Sequence, residues 1–156
     1  EQKIQETSLA ECLDAAIRVS WNELKFKVTL HKAIESVPLV PGYPGQLIQV
    51  FTNLLINASQ AMEEKGEINI TTAYREGHIY IDFEDNGKGI KEDDLKQIFT
   101  PFFTTKPAGK GTGLGLSISF GIIQKHGGQI NVQSQVGKGT TFSIVLPVVE
   151  REECVA

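Results

Sequence analysis

The sequence predicts an α/β fold: a two-layer α/β sandwich, with helices packed on one face of a mixed, mainly antiparallel sheet. Three observations predict it. Segments with apolar residues every three or four positions are interspersed with segments whose apolar residues recur every second position. The strand-type segments of the middle and the end of the chain come as adjacent pairs, the arrangement of antiparallel hairpins. Between these pairs runs "TPFFTTKPAGKGTG", a long stretch with little hydrophobic periodicity that ends where helical spacing resumes.

The elements follow in order. "EQKIQET" is a polar lead-in with nothing to pack against. In "SLAECLDAAIRVSW", Ser8 stands three residues before Glu11, a capping box, and Leu9, Leu13, Ala16 and Ile17 fall at helical spacing. A helix of about four turns is expected. "KFKVTLHKAI" alternates Phe26, Val28 and Leu30 with Lys and Thr, the pattern of a half-buried strand. "VPGYPGQ" breaks the chain, and Pro44 suits the first turn of a helix expected over 44–65, with Gly66 as its stop. "EINITTAYR" and "HIYIDFED" read as a hairpin turning at Glu76-Gly77. "KEDDLKQIF" is a short helical piece, 114–125 is a helix stopped by His126-Gly127-Gly128, and "GQINVQS" and "GTTFSIVLP" are the last two strands.

Composition narrows the function classes. With 156 residues, 40% hydrophobic and 22% charged, the chain fits one ordinary globular domain. No apolar run reaches the length of a membrane span, nothing at the start resembles a signal peptide, and the expected location is cytoplasmic. Cys12 and Cys154 lack metal-ligand spacing and read as ordinary thiols. A net charge of −4 gives no argument for nucleic acid or acidic lipid as partner. The chain opens on Glu1, which suggests a piece of a longer protein.

Three features point to chemistry. On the 44–65 helix, Leu47, Val50, Phe51, Leu54, Leu55, Ala58, Ala61 and Met62 make an apolar face, while Gln46, Gln49, Asn53, Asn57, Gln60 and Glu64 fall on another. Asparagine is a poor helix former, so Asn53 and Asn57 need a reason. Their amides, one turn apart, either line a site, where a carbonyl oxygen would suit Mg²⁺, or face solvent; spacing leaves both open. The second feature is Asp85, which the period of two puts on the side of Ile79, Ile81 and Phe83. It either meets donors in the core or bends out to water or caps a turn in "DNGKG". Thr140 likewise shares the face of Phe142, Ile144 and Leu146. The third feature is the glycine run of "GKGTGLGLSIS", which ends at a helix start, where unpartnered amides and bare backbone can cradle an anion. It matches neither the Walker nor the dinucleotide pattern, and a flexible linker is its plain alternative.

"NLLINASQAM" (53–62), "DNGKGI" (85–90), "PFFTTK" (101–106), "GTGLGLSIS" (111–119) and "GKGTTFSIVLP" (137–147) together resemble the N, G1, F, G2 and G3 boxes of sensor histidine kinases, in family order. "PFFTTK" with "GKGTGLGL" is most similar to the nitrogen-regulation and dicarboxylate-sensor type. The resemblance implies the Bergerat ATP-binding fold with a mobile ATP lid, occupying residues 8–149. Residues 1–7 would then end a linker from a preceding dimerisation domain, and 150–156 would be a tail. It implies ATP and Mg²⁺ as cofactors, with Asn57 as metal ligand and catalytic residue and Asn53 in support. Asp85 would accept the adenine amino group, Thr140 would complete that polar patch, and Gly87, Gly89 and Ile90 would run beside the base. Phe99, Phe102 and Phe103 would anchor the lid, Lys106 or Lys110 would meet phosphate charge, and Gly111, Thr112, Gly113, Leu114, Gly115 and Leu116 would pass over the phosphates. Where many members carry a basic residue one turn after the metal asparagine, this chain has Gln60.

The implied activity is that of a protein histidine kinase catalytic domain, which gives the ATP γ-phosphoryl group to a histidine in a dimerisation domain for relay to a response regulator receiver domain. The isolated domain would be monomeric and the parent a homodimer, with membrane anchoring of the parent left open. The alternative is an ATPase of the same fold, or a nucleotide-binding regulatory module without phosphotransfer. Hydrolytic relatives place a glutamate where Asn53 stands here, and an amide cannot take a proton. His31, His78 and His126 lack the context of the family's phosphorylated histidine and read as structural or solvated, so the acceptor is expected outside this chain.

Overall fold

Ser8 starts the first helix as the capping box predicts: its Oγ accepts the backbone amide of Glu11 at 3.3 Å, partnering one of the donors that a helix N-terminus leaves open. The computed structural model describes residues 3–104 and 114–148. Its elements are β1 (Gln5–Thr7), α1 (Leu9–Leu24), β2 (Val28–Ile34), β3 (Val40–Gly42), α2 (Pro44–Gln60), β4 (Gly66–Arg75), β5 (His78–Asp85), α3 (Glu92–Leu95), α4 (Gly115–Lys125), β6 (Gln129–Gln135) and β7 (Gly139–Pro147).

The main sheet has the order β2-β4-β5-β7-β6. Among the described residues only β2 and β4 run parallel, so the sheet is mixed and mainly antiparallel, as expected. Its inner face carries Ile68, Ile70, Ile79, Ile81, Phe83, Phe142, Ile144 and Leu146, all buried, because a period of two sends alternate residues of each strand to one side. Opposite them α2 buries Leu47, Val50, Phe51, Leu54 and Leu55, and α1 buries Leu9, Leu13 and Ala16. Each fully buried Leu, Ile or Phe contributes about 1.5–3 kcal/mol. Phe51 joins the layers, its ring centroid 5.7 Å from that of Phe83 on β5.

Four expectations are corrected. Phe26 is 81% exposed and precedes the strand, which begins at Val28; a turn in which Lys27 N–H donates to Leu24 O holds Phe26 outward, beneath Lys25 Nζ at 5.0 Å. The second helix stops at Gln60 rather than near Lys65. Ala61 O, which would take the Lys65 amide in a continuing helix, instead accepts Lys88 N–H at 2.9 Å. Gly66 therefore opens β4 and ends no helix. The polar lead-in does have a partner: Gln5–Thr7 pairs antiparallel with Val40–Gly42, and Thr7 is buried with its Oγ1 donating to Gln5 O at 2.9 Å. Three-residue strands are too short to show alternation, so composition hid them.

The three histidines have structural or solvated settings. His31 pairs with Glu67 Oε1 at 3.2 Å on the exposed face, and His78 contacts Glu76 O at 3.1 Å. His126 is a latch: Nδ1–H donates to Ile122 O at 2.8 Å while Nε2 accepts Tyr43 N–H at 3.0 Å, fastening the end of α4 to the start of α2. The tautomer with its proton on Nδ1 makes both bonds. Cys12 is buried, and burial, helped by Glu11, pushes its thiol up to about 11, in keeping with an unreactive side chain. Cys154 lies outside the described residues.

The β4–β5 hairpin turns at Glu76 (φ 50°) and Gly77 (φ 77°), both positive, the signature of a two-residue type I′ turn. Glutamate is strained there, whereas asparagine tolerates the left-handed region. Glu76→Asn should stabilise the chain by about 0.5–1 kcal/mol, read as a raised thermal midpoint. A lowered midpoint would contradict this account of the turn.

Candidate functional site

The site begins with strand parity. Asp85 ends β5 on the side of Ile79, Ile81 and Phe83 and is 6% exposed; across the ladder it faces Thr140 of β7, 4% exposed. Its Oδ1 accepts Gly87 N–H at 2.9 Å. The two sequence alternatives thus coexist: the carboxyl points into the core and also caps the turn that follows. Burial pushes its pKa above the ordinary 3.8; the backbone amides of Gly87 and Thr140 pull the other way, and Glu84 adds a smaller upward push. A buried acceptor with this environment gains from a further donor, such as an amine.

The loop after Asp85 is held on three sides. Asn86 Oδ1 accepts Glu67 N–H at 2.7 Å, and Lys88 ties α2 to the β6–β7 hairpin by donating to Ala61 O at 2.9 Å and accepting Gly137 N–H at 2.8 Å. Ile90 N–H donates to Ser134 Oγ at 2.7 Å. Gly87 and Gly89 are needed for this packing. A Cβ at Gly87 would lie 2.8 Å from Ala61 O, and one at Gly89 would fall on Gln135 O, where φ is also +77°. Ser134 was missed from the sequence. It shares the face of Ile130 and Val132 on β6, so the parity argument that singled out Asp85 and Thr140 could have found it.

Asn53 points across to α4. Its Nδ2 donates to Gly115 O at 3.2 Å and Ser119 Oγ at 3.3 Å, while Ser119 Oγ donates to Gly115 O at 2.8 Å. The first turn of α4, where the glycine run of the sequence suggests an anion cradle or a plain linker, is thereby braced against α2. Leu114 is the N-cap residue and makes no side-chain cap, so the turn's leading amides depend on other partners. Asn57 stands one helical turn after Asn53, half-buried. Leu116 packs on the core at the start of α4, and Ile90 does so behind the loop.

Ahead of residues 105–113, which lie outside the described residues, Phe99 stacks at 5.2 Å on Phe120 of α4 and meets Phe142 of β7 at 6.5 Å, and Phe103 also packs on the core. Phe102 does not share that anchoring role: its backbone has φ 68°, which turns its side chain out to 74% exposure between the two inward phenylalanines. Lys106, Lys110, Gly111, Thr112 and Gly113 lie outside the described residues. The structure therefore gathers Asp85, Thr140, Gly87, Gly89 and Ile90 in one corner, with Asn53, Gly115 and Leu116 at the junction of α2 and α4.

Comparison with known proteins agrees with this geometry. A family model described as histidine kinase-, DNA gyrase B-, and HSP90-like ATPase matches residues 42–150. The sensor histidine kinase ZraS of Escherichia coli (strain K12) is 46% identical over 116 residues, 74% of this chain and 24% of that protein. Sporulation kinase E of Bacillus subtilis (strain 168) is 46% identical over 121 residues, 77% of this chain and 16% of that protein. The chain thus spans a quarter or less of the length of these curated relatives. A solved structure of the catalytic domain of the histidine kinase ThkA, in a nucleotide-free form, superposes with a TM-score of 0.82 at 30% identity, covering 93% of this chain and 95% of that one. The two-layer sandwich with its buried Asp85 corner is therefore the Bergerat fold, and the chain belongs to the histidine kinase-, DNA gyrase B- and HSP90-like ATPase family as an ATP-binding catalytic domain of the sensor histidine kinase kind.

Proposed function

We propose that this chain binds ATP with Mg²⁺ and donates the γ-phosphoryl group to a histidine in a separate dimerisation domain of the same protein, for relay to a response regulator receiver domain. The observation that carries the reading is Asp85, a buried carboxylate facing Thr140 across the β5–β7 ladder. In this reading Asp85 accepts the exocyclic amine of adenine, a charge-assisted bond made where water does not compete. The names of the relatives, sensor histidine kinase and sporulation kinase, support the phosphotransfer step.

The donor set fits Mg²⁺ that arrives with the phosphates. The Asn57 carboxamide oxygen is a hard ligand, and Mg²⁺ commonly takes one or two protein ligands while phosphates and water complete its shell. Among the described residues no three His, Cys, Asp or Glu stand together to hold a resident ion. When bound, the ion would neutralise charge on the phosphates as transfer proceeds. The chain's own part is to hold and orient. Asn53 steadies the first turn of α4, where leading amides and the macrodipole favour an anion, and Phe99 and Phe103 fasten the near end of the lid. The acceptor nitrogen would then attack the γ-phosphorus in line as ADP leaves.

Hydrolysis is not favoured by the same geometry. Asn53 cannot accept a proton, and its Nδ2 is committed to α4. Residues 1–7 lead in from the dimerisation domain in this reading, β1 being their last, paired part, residues 8–149 are the ATP-binding domain, and 150–156 are a tail. The parent is a homodimer and this domain works in the cytoplasm. Among the described residues no helix is long and apolar enough to cross a membrane.

Asp85→Asn should weaken ATP binding about ten- to a hundredfold by calorimetry, the loss of one charge-assisted hydrogen bond. Stability should move the other way. Because burial raises the folded-state pKa of Asp85, its protonated form favours folding, and that contribution is lost as pH rises through the raised value. The ligand-free Asn variant should be at least as stable as wild type at pH 7, with its relative advantage shrinking as pH falls toward about 4. A variant that loses ATP only because it unfolds would contradict the role assigned here.

The proposal as a whole is tested with γ-labelled ATP. The chain should bind ATP more tightly with Mg²⁺ than without, remain unlabelled alone, and label the histidine-bearing dimerisation helices when these are added, with acid-labile product. Asn57→Ala should abolish that transfer and most of the Mg²⁺ dependence. Stable label on His31, His78 or His126 would refute the reading as a donor domain.

A further inference from the structure

The hydroxyl of Ser134 sits at a three-way junction. Its Oγ lies 2.7 Å from Ile90 N, 3.0 Å from Gly139 O and 2.7 Å from Thr140 Oγ1. A serine hydroxyl has one proton to give and two lone pairs to receive with. Ile90 N–H can only donate and Gly139 O can only accept. If Ser134 gives its proton to Gly139 O, then the third contact is Thr140 donating to Ser134, and all three valences are used. The reverse assignment would strand the Thr140 proton on a residue 4% exposed, whose side-chain partner among the described residues is Ser134.

We propose that Ser134 is a positioning residue for base selection: by taking the proton of Thr140, it makes Thr140 present only lone pairs beside Asp85. The inference rests on the adenine-site reading above and adds to it the group that fixes the polarity of the pocket. Asp85 and Thr140 are partners across the β5–β7 ladder, on the same face. With the Thr140 proton committed to Ser134, both are acceptors. Two adjacent acceptors favour a base that carries an amine at this place and penalise one that carries only hydrogen there, because both acceptors are then left unpartnered. The same Ser134 oxygen anchors Ile90, so the loop beside the base and the proton pattern at its edge are set together.

A merely structural Ser134 would, on removal, weaken every nucleotide alike. The test is therefore a ratio. ATP and purine riboside triphosphate differ only in the 6-amine, which the second lacks while N1 is an acceptor in both, and each is titrated calorimetrically into wild type, Ser134→Ala, Ser134→Thr and Thr140→Val. Wild type should prefer ATP. In Ser134→Ala the Thr140 proton is released toward the pocket, so ATP affinity should fall while that of purine riboside triphosphate holds or rises, narrowing the ratio about five- to tenfold. Ser134→Thr, which keeps the hydroxyl, should keep the ratio. Thr140→Val, which removes the acceptor and leaves Ser134 holding Ile90, should also narrow it, and decides the matter should Ser134→Ala fail to fold. Equal weakening of both nucleotides in Ser134→Ala, or an unchanged ratio in Thr140→Val, overturns the inference alone. A wild type that does not prefer ATP overturns the adenine-site reading and this inference with it.

Discussion

A carboxylate can sit inside an apolar layer only where donors reach it, and the donors around Asp85 come from backbone that must turn tightly to supply them. The Gly87 amide reaches Oδ1 at 2.9 Å because the chain reverses immediately after β5. That reversal brings the loop against the end of α2 and the β6–β7 hairpin, where Gly87 and Gly89 leave no room for a Cβ. The end of α2 answers to the same constraint, since Ala61 O gives up its helical partner for Lys88 N–H. Moving one charged group to the core face has thus set where a helix stops, where two glycines fall and how a hairpin is docked.

The other half of the site is governed by α4, which is held at both ends. Asn53 and Ser119 fix its first turn against the middle of α2, and His126 fixes its last residues to Tyr43 at the start of α2. A helix clamped this way can offer its leading amides in a set position without ordering itself on each binding event, which is the advantage of preorganisation. Phe99 connects this helix to β7 through Phe120 and Phe142, so the segment that follows α3 is anchored on the strand that carries Thr140.

Legibility in the sequence followed periodicity. β4, β5, β6 and β7, the hairpin at Glu76-Gly77, α1 and α4 could all be read, because long alternating or 3.6-fold patterns report burial directly. Parity placed Asp85 and Thr140 inward correctly. What escaped was set by single long-range contacts that leave no periodic trace: the early end of α2, the three-residue pairing of β1 with β3, and Phe26 turned out by a local bond at Lys27. Asn53 shows the same limit at the site. Spacing marked it as unusual, but only the position of Gly115 and Ser119 reveals that its amide braces a helix. Phe102 was grouped with its neighbours by type, whereas a positive φ separates it from them.

The account stands on Asp85 acting as a buried acceptor for a base amine, and its titration is the most direct probe. The carboxyl carbon of Asp85, followed by NMR through a pH series, should titrate above the ordinary 3.8 in the free chain because burial disfavours its charge. A donor delivered by the ligand favours the charged form, so saturating ATP should shift that titration downward. An Asp85 titration that ATP leaves unmoved, or moves upward, would contradict the account.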